Sequence, residues 1–142
     1  MQYRRAESLL VVHLEPGEDV FAALTDVVRL VHMSQGFVVS GIGHIHKVQL
    51  GYFIGAGAYA LKDFPEGGEL LSLTGNLAPK DGEPFFHLHA VLGRDDYSVF
   101  GGHLAAAEVD VTVEVMLKEV GGVARMRRMP EEATGLDGLK IE

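Results

Sequence analysis

Cysteine and tryptophan are both absent from the 142 residues, and proline occurs only five times. Without cysteine there is no disulfide framework, no thiolate metal site and no cysteine nucleophile, a composition suited to a reducing compartment. Long apolar runs are missing too. No segment reaches the roughly 18 uncharged residues that a membrane helix needs. Arg4-Arg5 ahead of the apolar run Ser8–Leu14 has the order of a secretory leader, but His13, Glu15, Glu18 and Asp19 end that run too early. The expectation is a cytoplasmic protein with no membrane partner. Bases are scarce as well, 12 against 20 acids, for a formal charge of −8. That balance disfavours tight, sequence-independent nucleic-acid binding, whose affinity comes from neutralising phosphates.

What is present fits one soluble domain. Apolar residues make up 47% of the chain, enough for a core at this length, and there are 18 glycines. Ser8–Leu14 reads as a strand closed by the turn Glu15-Pro16-Gly17. Val20, Leu24, Val27, Val28 and Val31 recur at helical spacing, predicting one helix over Glu18–Ser34 with Gly36 as its stop. Phe37–Tyr59 is β-branched and broken by glycines, Glu69–Ala78 reads as a strand, and Phe85–Leu92 and Ser98–Leu104 flank a hairpin turn at Gly93–Tyr97. Val109, Val111, Val113, Val115 and Leu117 alternate with more polar residues, the pattern of a strand with one buried face. A last strand is expected over Val123–Met129. The predicted class is α+β: a compact single domain, residues 1–142 with a core over about 7–139, built on an antiparallel sheet and one principal helix.

The chemistry concentrates in the histidines. His87 and His89 are an H-x-H pair on a predicted strand, so both side chains point to one face. His103 lies on the next strand. A hairpin with His87 opposite His103 and His89 opposite Gly101 puts three imidazoles together, and any register of the same parity keeps them on one face. Gly101, lacking a side chain, would leave room above His89. Three imidazoles and one open position suit a divalent ion, zinc first and nickel or copper as alternatives. Partly buried histidines bonded to backbone are the other reading. His44 and His46 form a second same-face pair, placed either beside the same cavity or on a solvated face or subunit interface.

Other patterns carry less. Gly55-Ala56-Gly57-Ala58-Tyr59-Ala60 satisfies G-x-G-x-x-A, but Pro65 and the turn-like Asp63–Gly68 leave no helix for a dinucleotide loop to open, so the glycines are assigned to a strand bend. Arg125, Arg127 and Arg128 are the one basic cluster, an ion-pairing face or a contact to phosphate.

Gly82-Glu83-Pro84-Phe85-Phe86-His87-Leu88-His89, followed by Gly101-Gly102-His103-Leu104, resembles the PPC domain (plants and prokaryotes conserved). The likeness extends through Gly51-Tyr52-Phe53, Glu69–Asn76, Val111–Val115 and Thr134-Gly135-Leu136. It implies an antiparallel sheet flanked by helices, a homotrimer, and metal at His87, His89 and His103. In plants this domain accompanies AT hooks in nuclear DNA-binding proteins, where it mediates oligomerisation and partner binding. Stand-alone prokaryotic members are described as predicted DNA-binding proteins. This chain has no Arg-Gly-Arg-Pro AT hook. A cupin is the runner-up fold, but its usual glutamate is replaced by Ala90-Val91-Leu92-Gly93-Arg94 after the pair, and it lacks an early helix.

Three functions follow as expectations. The first is a homotrimeric metal-binding module of the PPC type. The second is a regulator binding DNA through its oligomer, with Arg125, Arg127 and Arg128 near phosphate. The third is a metal-dependent hydrolase or lyase acting on a small polar substrate, with Glu83 or Glu114 as candidate bases.

Overall fold

In the computed structural model, residues 1–142 are all described. Nine strands and one helix follow in the order β1 (Gln2–Ala6), β2 (Leu9–Leu14), α1 (Val20–Leu30), β3 (Gly36–Gly55), β4 (Ala58–Phe64), β5 (Gly68–Lys80), β6 (Glu83–Gly93), β7 (Val99–Glu119), β8 (Met126–Glu131) and β9 (Leu136–Ile141). Seven strands form one antiparallel sheet in the order β1-β2-β7-β6-β5-β3-β4. β7 pairs with β3 as well as β6, so β3, β5, β6 and β7 close on themselves. β8 and β9 make a separate hairpin.

The α+β class holds, with a single helix rather than flanking helices. α1 begins where expected because Asp19 caps it, its carboxylate accepting from the Ala22 N–H at 2.8 Å. It stops earlier than Ser34. His32 adopts a left-handed backbone (φ 56°), which ends the helix without Gly36. Gly36 instead opens β3, where a Cβ would lie 2.4 Å from the Lys118 carbonyl oxygen. Val20, Ala23, Leu24, Val27 and Val28 bury one stripe of α1 against a core of 26 residues.

Two expected strands, Ser98–Leu104 and the valine run, are one 21-residue strand, β7. Its alternation is irregular: the buried parity changes between Leu104 and Ala107, where the pairing with β3 shifts register, and the valine run is interrupted as well. Between the pairs His44↔Thr112 and Ile45↔Val109, β7 carries two extra residues, and this bulge turns Val111 outward while Val109, Val113, Val115 and Leu117 stay buried. On β6 the alternation is unbroken: Phe86, Leu88, Ala90 and Leu92 face the core. Phe85, His87, His89 and Val91 therefore face outward.

Close sheet contact imposes its own residues. Gly75 has φ +153°, and a Cβ there would lie 2.0 Å from the His87 carbonyl oxygen, so only glycine lets β5 approach the histidine strand. The core under that strand should dominate stability. Leu88→Ala, at a fully buried position, is expected to cost about 2–5 kcal/mol in urea unfolding, whereas Val123→Ala, 97% exposed, should change it by less than about 0.5 kcal/mol. Equal effects would contradict this placement of the core.

Candidate metal centre

The hairpin of β6 and β7 sets the site. His89 pairs directly with His103, and Gly101 pairs with Val91. The expected register, His87 opposite His103, is therefore displaced by one residue on each strand, and parity survives the shift. All three imidazoles project from the same outer face. The space expected beside Gly101 is not there, because a Cβ on that residue would lie 2.5 Å from the Ala90 carbonyl oxygen. Gly101 serves strand packing.

The three rings meet. Their centroids are 5.0–5.4 Å apart, one nitrogen from each lies within 4.8 Å of the others, and His87 Nε2 is 3.2 Å from His89 Nε2. A tetrahedral ion with bonds of about 2.0–2.1 Å separates its ligand nitrogens by about 3.3–3.4 Å. The closest pair is thus already near ligand spacing. His103 Nδ1 is buried with no hydrogen-bond partner, an orphaned polar atom in a neutral imidazole cluster. His89 is exposed and the other two are half-buried, which leaves the centre reachable from solvent. The donor set fits a borderline divalent ion such as zinc.

Electrostatics favours neutral rings. Burial pushes the His87 imidazole down to about 4, helped by the Arg128 guanidinium and by its two histidine neighbours. Burial and His89 lower His103 in the same direction. Neutral imidazole is the ligating form.

Two hairpins wall the face. Gly51 of β3 pairs with His103, and the missing side chain is filled by Tyr59 at the start of β4. Tyr59 stacks on His103, centroids 4.6 Å apart. From the other side β8 lies along β5, where Arg128 donates to Asn76 Oδ1, and Asn76 is paired with His87. The two hairpin turns touch: a Cβ on Gly57 would lie 2.5 Å from the Gly135 carbonyl oxygen. Gly55–Ala58 is a strand-to-strand turn with Ala56 and Gly57 at positive φ, as its assignment to a bend required.

The remaining candidates are elsewhere. His44 and His46 do not join the centre; they face β7 carboxylates, Asp110 at 3.0 Å and Glu108 at 3.0 Å. The arginine cluster is split. Arg127 pairs with Glu142, Arg128 turns inward to Asn76, and Arg125 is exposed. Glu83 binds Arg29 at 2.6 Å, and Glu114 lies in the ladder opposite His13 and Ile42. Tyr59, Asn76 and Gly51 were not assigned to the site from sequence, because their roles come from partners far along the chain. The nearest signal was the glycine at 51 within a β-branched run.

The fold and centre define a small, closed antiparallel β-domain with a three-histidine cluster on its outer face. The Plants and Prokaryotes Conserved (PCC, or PPC) domain matches residues 1–121, and the chain belongs to this family. Solved structures agree. A candidate DNA-binding protein from Bacteroides thetaiotaomicron is 27% identical with a TM-score of 0.89, the match covering 98% of this chain and 96% of that one. A PPC protein from Pyrococcus horikoshii is 28% identical, TM-score 0.81, covering 96% and 93%. A metal-containing protein from Archaeoglobus fulgidus is 31% identical, TM-score 0.84, covering 96% and 94%. No curated protein matches the chain. No helix is long and apolar enough to cross a membrane.

The lowered His87 value has a consequence for metal-free protein. Between pH about 6.5 and about 4 the unfolded chain binds a proton that folded His87 refuses, so stability falls as pH drops through that window and is level above it. Urea unfolding of chelator-treated protein at pH 7, 5.5 and 4.5 should show this decline, and His87→Gln should make it shallower. An equal slope in both proteins would contradict the burial assigned to His87.

Proposed function

We propose that the chain is a homotrimeric metal-binding module that holds one divalent ion, zinc, on His87, His89 and His103. The observation that carries this reading is the convergence of the three imidazole nitrogens within 4.8 Å on one outer sheet face. The 31% identical relative described as metal-containing supports it. When bound, the ion supplies Lewis acidity at an open coordination position. His87 and His103 offer neutral rings at physiological pH, and Tyr59 and the β8–β9 hairpin restrain the face. Trimer formation is supported by the family and by apolar residues on the outer surface. Leu71, Val91 and Val99, neighbours across β5, β6 and β7, are 50%, 40% and 59% exposed, a patch suited to a like copy.

Untagged protein loaded with zinc and then desalted should retain about one ion per chain in elemental analysis. His87→Ala and His103→Ala should each lower occupancy at least about tenfold at equal free zinc, as expected when one of three ligands is lost. Only traces in the wild type, or full occupancy in both variants, would overturn the assignment. Sedimentation equilibrium should give three times the 15.4 kDa of the chain; a monomer at micromolar concentration would contradict the trimer.

DNA binding is the second reading, favoured by relatives described as candidate DNA-binding proteins. The net charge of −8 and the splitting of the arginine cluster weigh against a strong phosphate contact by a single chain. A duplex titration at low salt decides it: no binding there excludes direct recognition by this protein alone.

A further inference from the structure

The β8–β9 hairpin lies beyond the residues matched by the family domain, and it brings to the histidine face an arginine with no acidic partner. Arg128 is half-buried. One Nη donates to Asn76 Oδ1 at 2.5 Å, the other to the Asp137 carbonyl at 3.2 Å, and the buried Nε has no hydrogen-bond partner. No carboxylate lies within 4 Å of the guanidinium: Asp137, whose charge acts on it from further away, is engaged by Lys80 at 2.5 Å. Partly desolvated cations are normally paired. Asn76 sits opposite His87, so its hold on Arg128 keeps the guanidinium on the face where the imidazoles converge. Phe85, two residues before His87 on the same face, has its ring 5.7 Å from Arg128 Cζ.

We propose that the three-histidine centre and Arg128 together form a binding site for an organic carboxylate, shared between the ion and the guanidinium. The proposal rests on the metal reading above and deepens it. A divalent ion held by His87, His89 and His103 would repel the neighbouring guanidinium, and an anion between them relieves that repulsion. The planar donor fork of arginine matches a carboxylate. The rings of Tyr59 and Phe85 beside the face suit an apolar tail. A chain of net charge −8 also repels a doubly charged phosphate more strongly than a monoanion.

Metal and carboxylate should therefore bind with positive linkage. The test measures zinc affinity by chelator competition, with and without saturating acetate, for the wild type, Arg128→Gln and Arg128→Lys. Acetate should tighten zinc binding by the wild type at least about fivefold, and by Arg128→Gln less than about twofold. Without acetate, Arg128→Gln should bind zinc more tightly than the wild type, because the like charge is gone. Arg128→Lys, retaining charge without the fork, should fall between them. If circular dichroism shows either variant to be unfolded, Asn76→Ala releases the guanidinium from its anchor and should weaken the linkage. Zinc binding by the wild type with no response to acetate, or the same response in folded Arg128→Gln, overturns the carboxylate site alone. A wild type that binds no zinc in either buffer overturns the metal reading and the shared site with it.

Discussion

The pairing of β6 with β7 is the constraint on which the site depends. Side chains on paired strands alternate between two faces, and the register His89↔His103 places both imidazoles outward, with His87 two residues along on the same face. A slip by one residue on one strand alone would send His103 into the core, where Leu104 now lies. The closed circuit of β3, β5, β6 and β7 resists such a slip. Each strand is hydrogen-bonded on both sides over part of its length, and its inward side chains, Leu73, Leu88 and Leu104 among them, are fully buried. The apolar core and the polar face are two sides of the same strands.

Charge shapes the face in the opposite sense to the rest of the molecule. The chain is strongly acidic, yet the fixed charge that acts on His87 is the guanidinium of Arg128. Burial and that guanidinium keep His87 unprotonated, which preserves a lone pair for a ligand and opposes a second cation there without an accompanying anion. Asp110 and Glu108, which could have drawn a cation elsewhere, are engaged by His44, His46 and Lys47.

The histidine face was legible in the sequence because parity is local: an H-x-H pair and a third histidine after a short turn share a face in any even register. The exact pairing was not, since the turn at Gly93–Tyr97 admits neighbouring registers and only the structure shows His89, rather than His87, opposite His103. The helix is legible in the spacing of its valines and Leu24, but its end is set by His32, a residue with no sequence signature for a left-handed stop. Closure of β7 onto β3 depends on pairs such as Gly36↔Glu119, far apart in the chain. For the same reason Tyr59 and Asn76 went unassigned, and Arg128 was grouped with its sequence neighbours although its side chain turns away from theirs.

The central claim is that His87, His89 and His103 jointly ligate one ion. X-ray absorption at the zinc edge, on untagged protein carrying one zinc per chain, tests it most directly. The account predicts three imidazole scatterers at about 2.0–2.1 Å with a further light ligand, and loss of one imidazole shell in His89→Ala. Zinc surrounded mainly by carboxylate and water oxygens, or a spectrum unchanged in that variant, would contradict it.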